Sequence, residues 1–422
     1  MTAVFTMMVR DEADVIAATL EHHLAQGIDT IIVTDNGSVD GTREVLREYE
    51  AVAPVIVFDD PEHRKQQGEV VTRMARLAHD RFGADWVVNG DADEFLVPLD
   101  SKLTLREVFE RMPVELGAFT APVVNLAGPM ARRGSGIRRL VHRDVRSQAQ
   151  LRSVGLLSHP TPNAIHVGSA DVDVSQGNHF TSIEQRGEVP PELALEVLHL
   201  PWRSVAQLAR KTENMGRGYE ASPDLRPSPR HHGMRDWRRL KGGVLEAFLA
   251  LRSPTETELA GEGFVADSRL RERLEQLVEH ARIPERLREC LDDSNDEVLP
   301  ADAVERMRVI ARAIRDAEEP LYEELTGLRM HADGLERLRE ELVAERDAII
   351  SERELAQLAV VRLQFAEMAA ELARLQAEHT AAGERLAMFE RHPLVRAMRA
   401  MRAMQGRLRR RHRGPLATRR GR

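Results

Sequence analysis

Over its first hundred residues the chain alternates short apolar runs of β type with helical patterns, and that alternation leaves few architectures open. Residues 3–9 are an apolar run, followed by Arg10-Asp-Glu-Ala-Asp14 as a polar turn and helix start. Val15, Ile16, Ala18, Leu20 and Leu24 then recur at helical spacing until Gly27. A second buried run spans 30–34, a turn cluster spans 35–42, and the pattern predicts a helix over 43–49. A third strand is expected at 55–58, and Val70, Val71, Met74, Leu77 and Phe82 mark a further helix stopped by Gly83. The fourth strand begins at Trp86. Such alternation builds βαβ units around a mainly parallel sheet, whose ligands bind beyond the carboxyl ends of the strands. The polar clusters at 10–14, 35–42 and 91–94 all fall at those ends.

The fourth strand runs into Asp91-Ala-Asp93-Glu94, three carboxylates within four residues. Asp91 and Asp93 lie two apart, so both side chains can lean toward one point past the strand end. Like charges that close are costly unless a cation sits between them, and oxygen ligands suit Mg²⁺ or Mn²⁺. A charged turn would read the same way, and only the clusters upstream favour a site.

Farther along, a short helix is expected at 103–112 and one strand at 118–126, then an irregular glycine-rich region to 187. Ser204 can cap a helix running through Lys211. Beyond Pro320 the composition turns to Glu, Arg, Ala and Leu, and Leu358, Val361, Phe365, Met368, Leu372, Leu375, His379, Ala382, Leu386 and Phe389 keep heptad spacing. That pattern predicts a coiled coil able to join copies of the chain, or a long helix packed within it. The expected organisation is an α/β domain over 1–250, a helical extension over 251–320, a coiled coil or long helix over 321–391, and a basic tail over 392–422.

No apolar run approaches the length of a membrane span, and the N-terminus has no signal-peptide pattern. Cys290 is alone, so internal disulfides and cysteine-rich zinc sites are excluded. Both point to the cytoplasm. The net charge of −8 hides an asymmetry. Residues 392–422 hold eleven arginines and no acid, which leaves −19 on the rest of the chain. Leu394, Val395, Met398, Met401 and Leu408 lie near one face of that tail. A helix resting on an anionic membrane surface has this pattern, and the inner face of a membrane is the expected place. Nucleic acid is disfavoured, because no aromatic or fold signal accompanies the arginines.

Taken in order, several motifs carry a resemblance. They are Met8-Val-Arg-Asp-Glu12, Ala25-Gln-Gly-Ile-Asp29, Asp35-Asn-Gly-Ser-Val-Asp-Gly-Thr42, Trp86 through Asp91-Ala-Asp-Glu-Phe95, Gln176-Gly-Asn-His-Phe180, and His199-Leu-Pro-Trp-Arg-Ser204 with Lys211. Together they resemble the family 2-like bacterial glycosyltransferases of GT-A fold, in the branch whose strand-end motif reads Asp-x-Asp-Glu-Phe. The likeness covers residues 3–245 and says nothing of the helices beyond.

The resemblance implies transfer of a sugar from a nucleotide-sugar donor to an acceptor hydroxyl, with inversion, on a glycan, lipid-linked or protein acceptor. It implies a divalent ion, Mn²⁺ or Mg²⁺, on Asp93, with Asp91 toward the ribose or a metal-bound water. Glu12 and Asp35 match positions that hold base and ribose, and Asn36, Gly37, Ser38 and Asp40 shape that loop. His179 and His199 are candidates for a nitrogen ligand, a phosphate contact or a structural role. Arg203 and Lys211 could clamp the diphosphate or belong to a solvated helix face. For the base that deprotonates the acceptor, Glu94, Asp171 and Asp173 stand equal. Two other classes compete: a Mg-dependent phosphatase, which would want its Asp-x-Asp after the first strand, and a non-catalytic coiled-coil adaptor with a degenerate nucleotide-binding domain.

Overall fold

The computed structural model describes residues 1–294, 296–352, 355–390 and 393. The basic-tail expectation, with Leu394, Val395, Met398, Met401 and Leu408, lies outside them. The chain divides into two compact units, residues 1–225 with 246–308 and residues 226–245 with 309–422.

The first unit opens with the expected alternation: β1 (Ala3–Val9), α1 (Ile16–Ala25), β2 (Thr30–Asp35), α2 (Thr42–Val52), β3 (Val55–Asp59), α3 (Gln67–Phe82) and β4 (Trp86–Asn89). These are followed by β5 (Glu94–Pro98), α4 (Leu105–Arg111), β6 (Ala118–Ala121), β7 (Val123–Ala127), β8 (His142–Asp144), α5 (Gln148–Ser153), β9 (Asn163–Val167), β10 (Leu195–His199) and α6 (Val205–Glu220). A six-stranded sheet has the order β3-β2-β1-β4-β9-β6, with β3 through β4 parallel and β9 antiparallel to both neighbours.

Side-chain alternation sorts the strands between two cores. Phe5 and Met7 of β1, Ile31 and Val33 of β2, and Trp86 and Val88 of β4 join α1 and α2 on one face. Val4, Ile32 and Val87 face the other way, onto Val70, Val71, Met74 and Ala78 of α3. Each such buried aliphatic side chain contributes about 1.5–3 kcal/mol. The strands are apolar on both faces because both faces are covered.

The single strand expected over 118–126 is two. Pro122 has no N–H to donate, so the ladder breaks there: β6 stays in the first sheet and β7 enters a second. That second sheet has the order β11-β8-β7-β10-β5, where β11 is Phe264–Ala266. After α8 (Leu245–Arg252) and α9 (Glu256–Leu259), α10 (Arg269–Leu277) and α11 (Pro284–Leu291) bring Leu270, Leu274, Leu287 and Cys290 into the α1 core. The lone cysteine is thus a buried core residue.

The second unit contains α7 (His232–Gly242), α12 (Ala301–Glu352) from residue 309 onward, and α13 (Leu355–Glu390). Pro320 lies inside α12. Tyr322 and Leu325 pack on Ala382 and Leu386, and the pairs Glu324–Arg385 and His331–Glu371 run in opposite chain directions. The two long helices therefore form an antiparallel hairpin. Met368, Leu372, Leu375, Ala382 and Leu386 of the heptad stripe are buried.

Candidate active site

Three adjacent parallel strands, β2, β1 and β4, end side by side, and their following turns form one rim. The β2 turn is largely closed on itself. The Asp35 carboxylate accepts from the Ser38 amide (3.1 Å) and hydroxyl (2.5 Å), and the Ser38 hydroxyl in turn accepts from the Asp11 amide (3.0 Å). Asp40 accepts from the Thr42 amide (3.0 Å) and from Arg210 (2.7 Å). Asn36 donates to the carbonyls of Asp60 and Glu62, both at 2.8 Å. Gly37 takes φ +69°, a left-handed turn that a side chain would strain. Asp35, Gly37, Ser38 and Asp40 hold the loop, while Glu12 and Asn36 face a cleft of about 200 Å³.

The acidic centre lies after β4. Asp93 is fully buried, and its Oδ2 accepts from Lys211 Nζ (2.6 Å) and Arg203 Nη1 (3.2 Å), with His199 Nε2 at 3.6 Å. Arg203, also 0% exposed, binds Asp14 at 2.9 Å and Glu12 as well. Charges taken this far from water persist only when paired. Burial would raise the Asp93 pKa, but Lys211, His199 and Arg203 outweigh it and hold the carboxyl well below its ordinary range. Burial also opposes the Lys211 charge, yet Asp93, Glu12 and Asp91 push its pKa up. Glu12 is raised to about 7 by burial, against the pull of Arg203 and Lys211.

Local structure explains the convergence. Ser204 caps α6 through its hydroxyl, which accepts from the Gln207 amide (3.2 Å), and this sets Arg203 before the helix and Lys211 two turns into it. The chain turns after Asp93 into β5, and β10 pairs antiparallel with β5 so that His199 stands opposite Glu94. His199 Nδ1 is 2.9 Å from Asn125 Oδ1, its parallel partner on β7.

Asp91 is held by Gln67 Nε2 (2.9 Å) and Asn178 Nδ2 (3.2 Å) on one oxygen, and burial raises its pKa against Lys211. His179 is half-buried, and burial lowers its pKa while Asp91 opposes the fall. Glu94 accepts from the Asp91 amide (3.0 Å) and from Asn163 (2.7 Å). Burial first, then the Asp91 charge, raises it to about 7. Glu94 faces a small interior pocket with Asn89 and Asn163 rather than the cleft. Asp171 and Asp173 are exposed and outside the cleft lining, and Asp173 pairs with Arg76 at 2.7 Å. Of the three base candidates, only Glu94 adjoins Asp91.

The cleft has a wall that sequence reasoning missed, residues 63–67 between β3 and α3. His63 Nε2 lies 3.0 Å from the Asn214 carbonyl, and the Lys65 amide donates to Ser222 Oγ (3.0 Å), so α6 and the turn after it pin this segment. The Lys65 ammonium sits 5.5 Å from the Tyr219 ring centre, with no ion pair among the described residues. Burial lowers its pKa, with Asp91 opposing and Lys211 adding. A signal existed: the chain has four lysines, and two of them, Lys65 and Lys211, line this cleft.

Among the described residues no group of three or more His, Cys, Asp or Glu is placed to hold a divalent ion. Mg²⁺ and Mn²⁺ are commonly held by one or two protein ligands and completed by substrate phosphates and water. Asp93 Oδ1 is buried with no hydrogen-bond partner among the described residues. His199 turns Nε2 toward the Asp93 carboxylate, 3.6 Å from Oδ2, while Nδ1 lies 2.9 Å from Asn125 Oδ1, which fixes the ring. Asp93 and His199, with Asp91 beside them, fit such an ion.

Residues 5–115 match the family model of glycosyltransferase family 92. The match indicates a glycosyltransferase. It spans the three strand ends of the rim but stops before His199, Arg203 and Lys211, and it leaves the family 2 likeness as a finer assignment. No curated protein matches the chain. Among solved structures, Staphylococcus aureus TarS residues 1–349 in complex with UDP-GlcNAc is similar at a TM-score of 0.30 and 12% identity, over 61% of this chain and 69% of that one. HddC from Yersinia pseudotuberculosis has a TM-score of 0.23 and 12% identity, over 47% and 77%. Glucosyl-3-phosphoglycerate synthase from Mycobacterium tuberculosis, in complex with Mn²⁺, UDP and phosphoglyceric acid, has 0.21 and 19%, over 39% and 55%.

Proposed function

We propose that the chain is a metal-assisted, inverting glycosyltransferase of the family 2-like GT-A type, which takes its sugar from a nucleoside diphosphate donor. The observation that carries this reading is one cleft past three parallel strand ends that gathers Lys65, Lys211, Asp91 and Glu12 above buried Asp93. Two ammonium groups beside a carboxylate pair suit a diphosphate and the cation that accompanies it. Glu12 and Asn36 lie on the β1–β2 side, where base and ribose would sit. Asp93 and His199 would hold the ion, which as a Lewis acid neutralises the charge developing on the leaving diphosphate.

In the transfer, the acceptor hydroxyl oxygen forms a bond to the sugar's anomeric carbon. The bond from that carbon to the phosphate oxygen breaks with its electron pair, and the nucleoside diphosphate leaves. Lys65 and Lys211 stabilise the departing oxygens. The hydroxyl proton goes to a carboxylate acting as general base. The acceptor is a glycan, a lipid-linked glycan or a protein, and the expected place of work is the cytoplasm, at the inner face of a membrane.

A thermal-shift panel tests the reading. Nucleoside diphosphates and sugar nucleotides should raise the melting temperature, more so with Mn²⁺, since a ligand seen only by the folded state stabilises it. A flat response to every nucleotide, with and without metal, overturns it.

A further inference from the structure

Phe180 is exposed, at 68%, where most of the chain's aromatic rings are buried or half-buried. An exposed ring on a loose loop would need no explanation. This one stands on a built support. Residues 174–181 form a tight hairpin closed by a Val174–Thr181 bridge. Within it the Ser175 amide donates to the Phe180 carbonyl (2.9 Å), and the Phe180 amide donates to Ser175 Oγ (3.0 Å). Thr72 of α3 ties it down through the Val174 amide (2.9 Å). Asn178, in the left-handed region at φ 64° and almost fully buried, points its amide at Asp91 (3.2 Å). Gln176 reaches Gln67, which also donates to Asp91. Strained, buried polar residues persist where the surroundings dictate them.

The sheet order says which side of the centre this is. β1 and β2, whose turns form the donor side, lie on one side of β4; β9, which the hairpin follows, lies on the other. The Ala164 amide of β9 donates to the Asn178 carbonyl (2.8 Å). A group attacking the sugar must approach past Asp91 from the side away from the nucleotide.

We propose that Phe180 is the platform of an acceptor subsite and that the acceptor is a glycan, one pyranose ring of which lies against the phenyl face. This rests on the glycosyltransferase reading above and names its second substrate. A pyranose offers one C–H face and a rim of hydroxyls. Phe180 offers one exposed apolar ring, and its neighbours in the chain, His179, Thr181 and Ser182, are polar. A protein or lipid surface would instead need a contiguous apolar patch of a few hundred Å², and Phe180 has polar or small neighbours along the hairpin.

The test uses the full chain and Phe180→Ala, Phe180→Tyr and Phe180→Trp variants on an array of immobilised oligosaccharides. Mn²⁺ is added with whichever of UDP, GDP, CDP, ADP or dTDP most raises the parent's melting temperature. The parent should be retained on a subset of glycans; Phe180→Ala should lose at least tenfold in retention, while Tyr and Trp keep it. The nucleotide-induced melting shift should be equal in all four, which shows that the donor site and fold are intact. Equal retention of Phe180→Ala, or a parent that binds nucleotide but no glycan, overturns the subsite and leaves the enzyme reading standing. Phe180-dependent pelleting with phosphatidylglycerol vesicles without glycan retention assigns the ring to lipid and likewise overturns it. If the parent responds to no nucleoside diphosphate, the enzyme reading itself fails, and the subsite with it.

Discussion

Two buried clusters of arginine and carboxylate, one in each unit, differ in what they leave unmatched. In the helical unit Arg239 binds Asp236 (3.1 Å) and Glu318 (3.0 Å), while Arg235 lies 3.6 Å from Glu319 and over the Tyr322 ring at 4.5 Å. Three arginines, 230, 235 and 239, meet three carboxylates there, at 236, 318 and 319. Around Arg203 the arrangement opens on a cleft. Lys65 on its wall has no carboxylate partner among the described residues, and Glu12 is raised to about 7. A buried ion cluster is thus no sign of a site by itself. Unpaired charge beside open volume is what sets the cleft apart.

The largest expected effect separates the two. Asp93→Asn leaves Arg203 and Lys211 short of their shared partner, so it should abolish metal-dependent nucleotide binding and also cost about 3–5 kcal/mol of stability. Two neighbouring carboxylates read from sequence alone suggest relief of repulsion instead, but Arg203 and Lys211 already supply the cations. Glu318→Gln should cost a similar amount of stability and leave nucleotide binding untouched. Urea melts and calorimetric titration of both variants check the pair. Nucleotide binding lost in Glu318→Gln, or kept in Asp93→Asn, would erase the distinction.

Next in size is Lys65→Met. Loss of a charged hydrogen bond to a phosphate costs about 1.5–3 kcal/mol, roughly 10- to 150-fold in affinity for a nucleoside diphosphate. Because the ammonium has no ion-pair partner among the described residues, melting of the free protein should hold or rise. A variant that melts lower and binds nucleotide as the parent does would make Lys65 a structural residue.

What sequence conveyed follows a physical line. The βαβ alternation was legible because Phe5, Ile31 and Trp86 must be buried whatever their partners. Asp91 and Asp93 were legible because they stand at a strand end with their cost on display. Arg203 reads from sequence equally as a diphosphate clamp or a solvated helix-face residue. It is instead fully buried outside the cleft lining, because its partners Glu12, Asp14 and Asp93 lie 110 to 191 positions away. Lys65 sits in a connection without periodicity, so only its rarity marked it. Pro122 is legible in the sequence, because a missing N–H is a local fact that breaks a strand. The heptads of α13 were legible as an apolar stripe; that part of the stripe meets Tyr322 and Leu325 of the same chain required the fold.

A pH series sharpens the comparison further. Glu12 and Glu94 rise from their ordinary 4.5 to about 7 on folding. Between those values the folded chain keeps protons that the unfolded chain has lost, so stability should fall as pH rises from about 4.5 to about 7. Asp93 works in the opposite sense, its contribution being lost as pH falls below the ordinary carboxylate range. Glu12→Gln should flatten part of the decline, whereas Glu318→Gln should shift the whole curve and leave its slope. Melting temperatures from pH 4.5 to 7.5 show which happens.

The smallest effect belongs to a pair that water reaches. Arg385 and Glu324 bridge the two long helices, with side chains 48% and 44% exposed. Solvent screens such a pair, and ordering two long side chains offsets part of its attraction, so its coupling should be about 0.2–1 kcal/mol. That is several-fold below the cost expected of Glu318→Gln in the same unit. A double-mutant cycle of Arg385→Ala and Glu324→Ala isolates the coupling, because each truncation leaves its partner free to turn into water. The cycle also reads the hairpin itself. Coupling of the expected size that does not change with protein concentration means that α13 pairs with α12 of its own chain. Coupling that vanishes on dilution, together with a fall in mass by light scattering, would mean that the heptads join two chains instead.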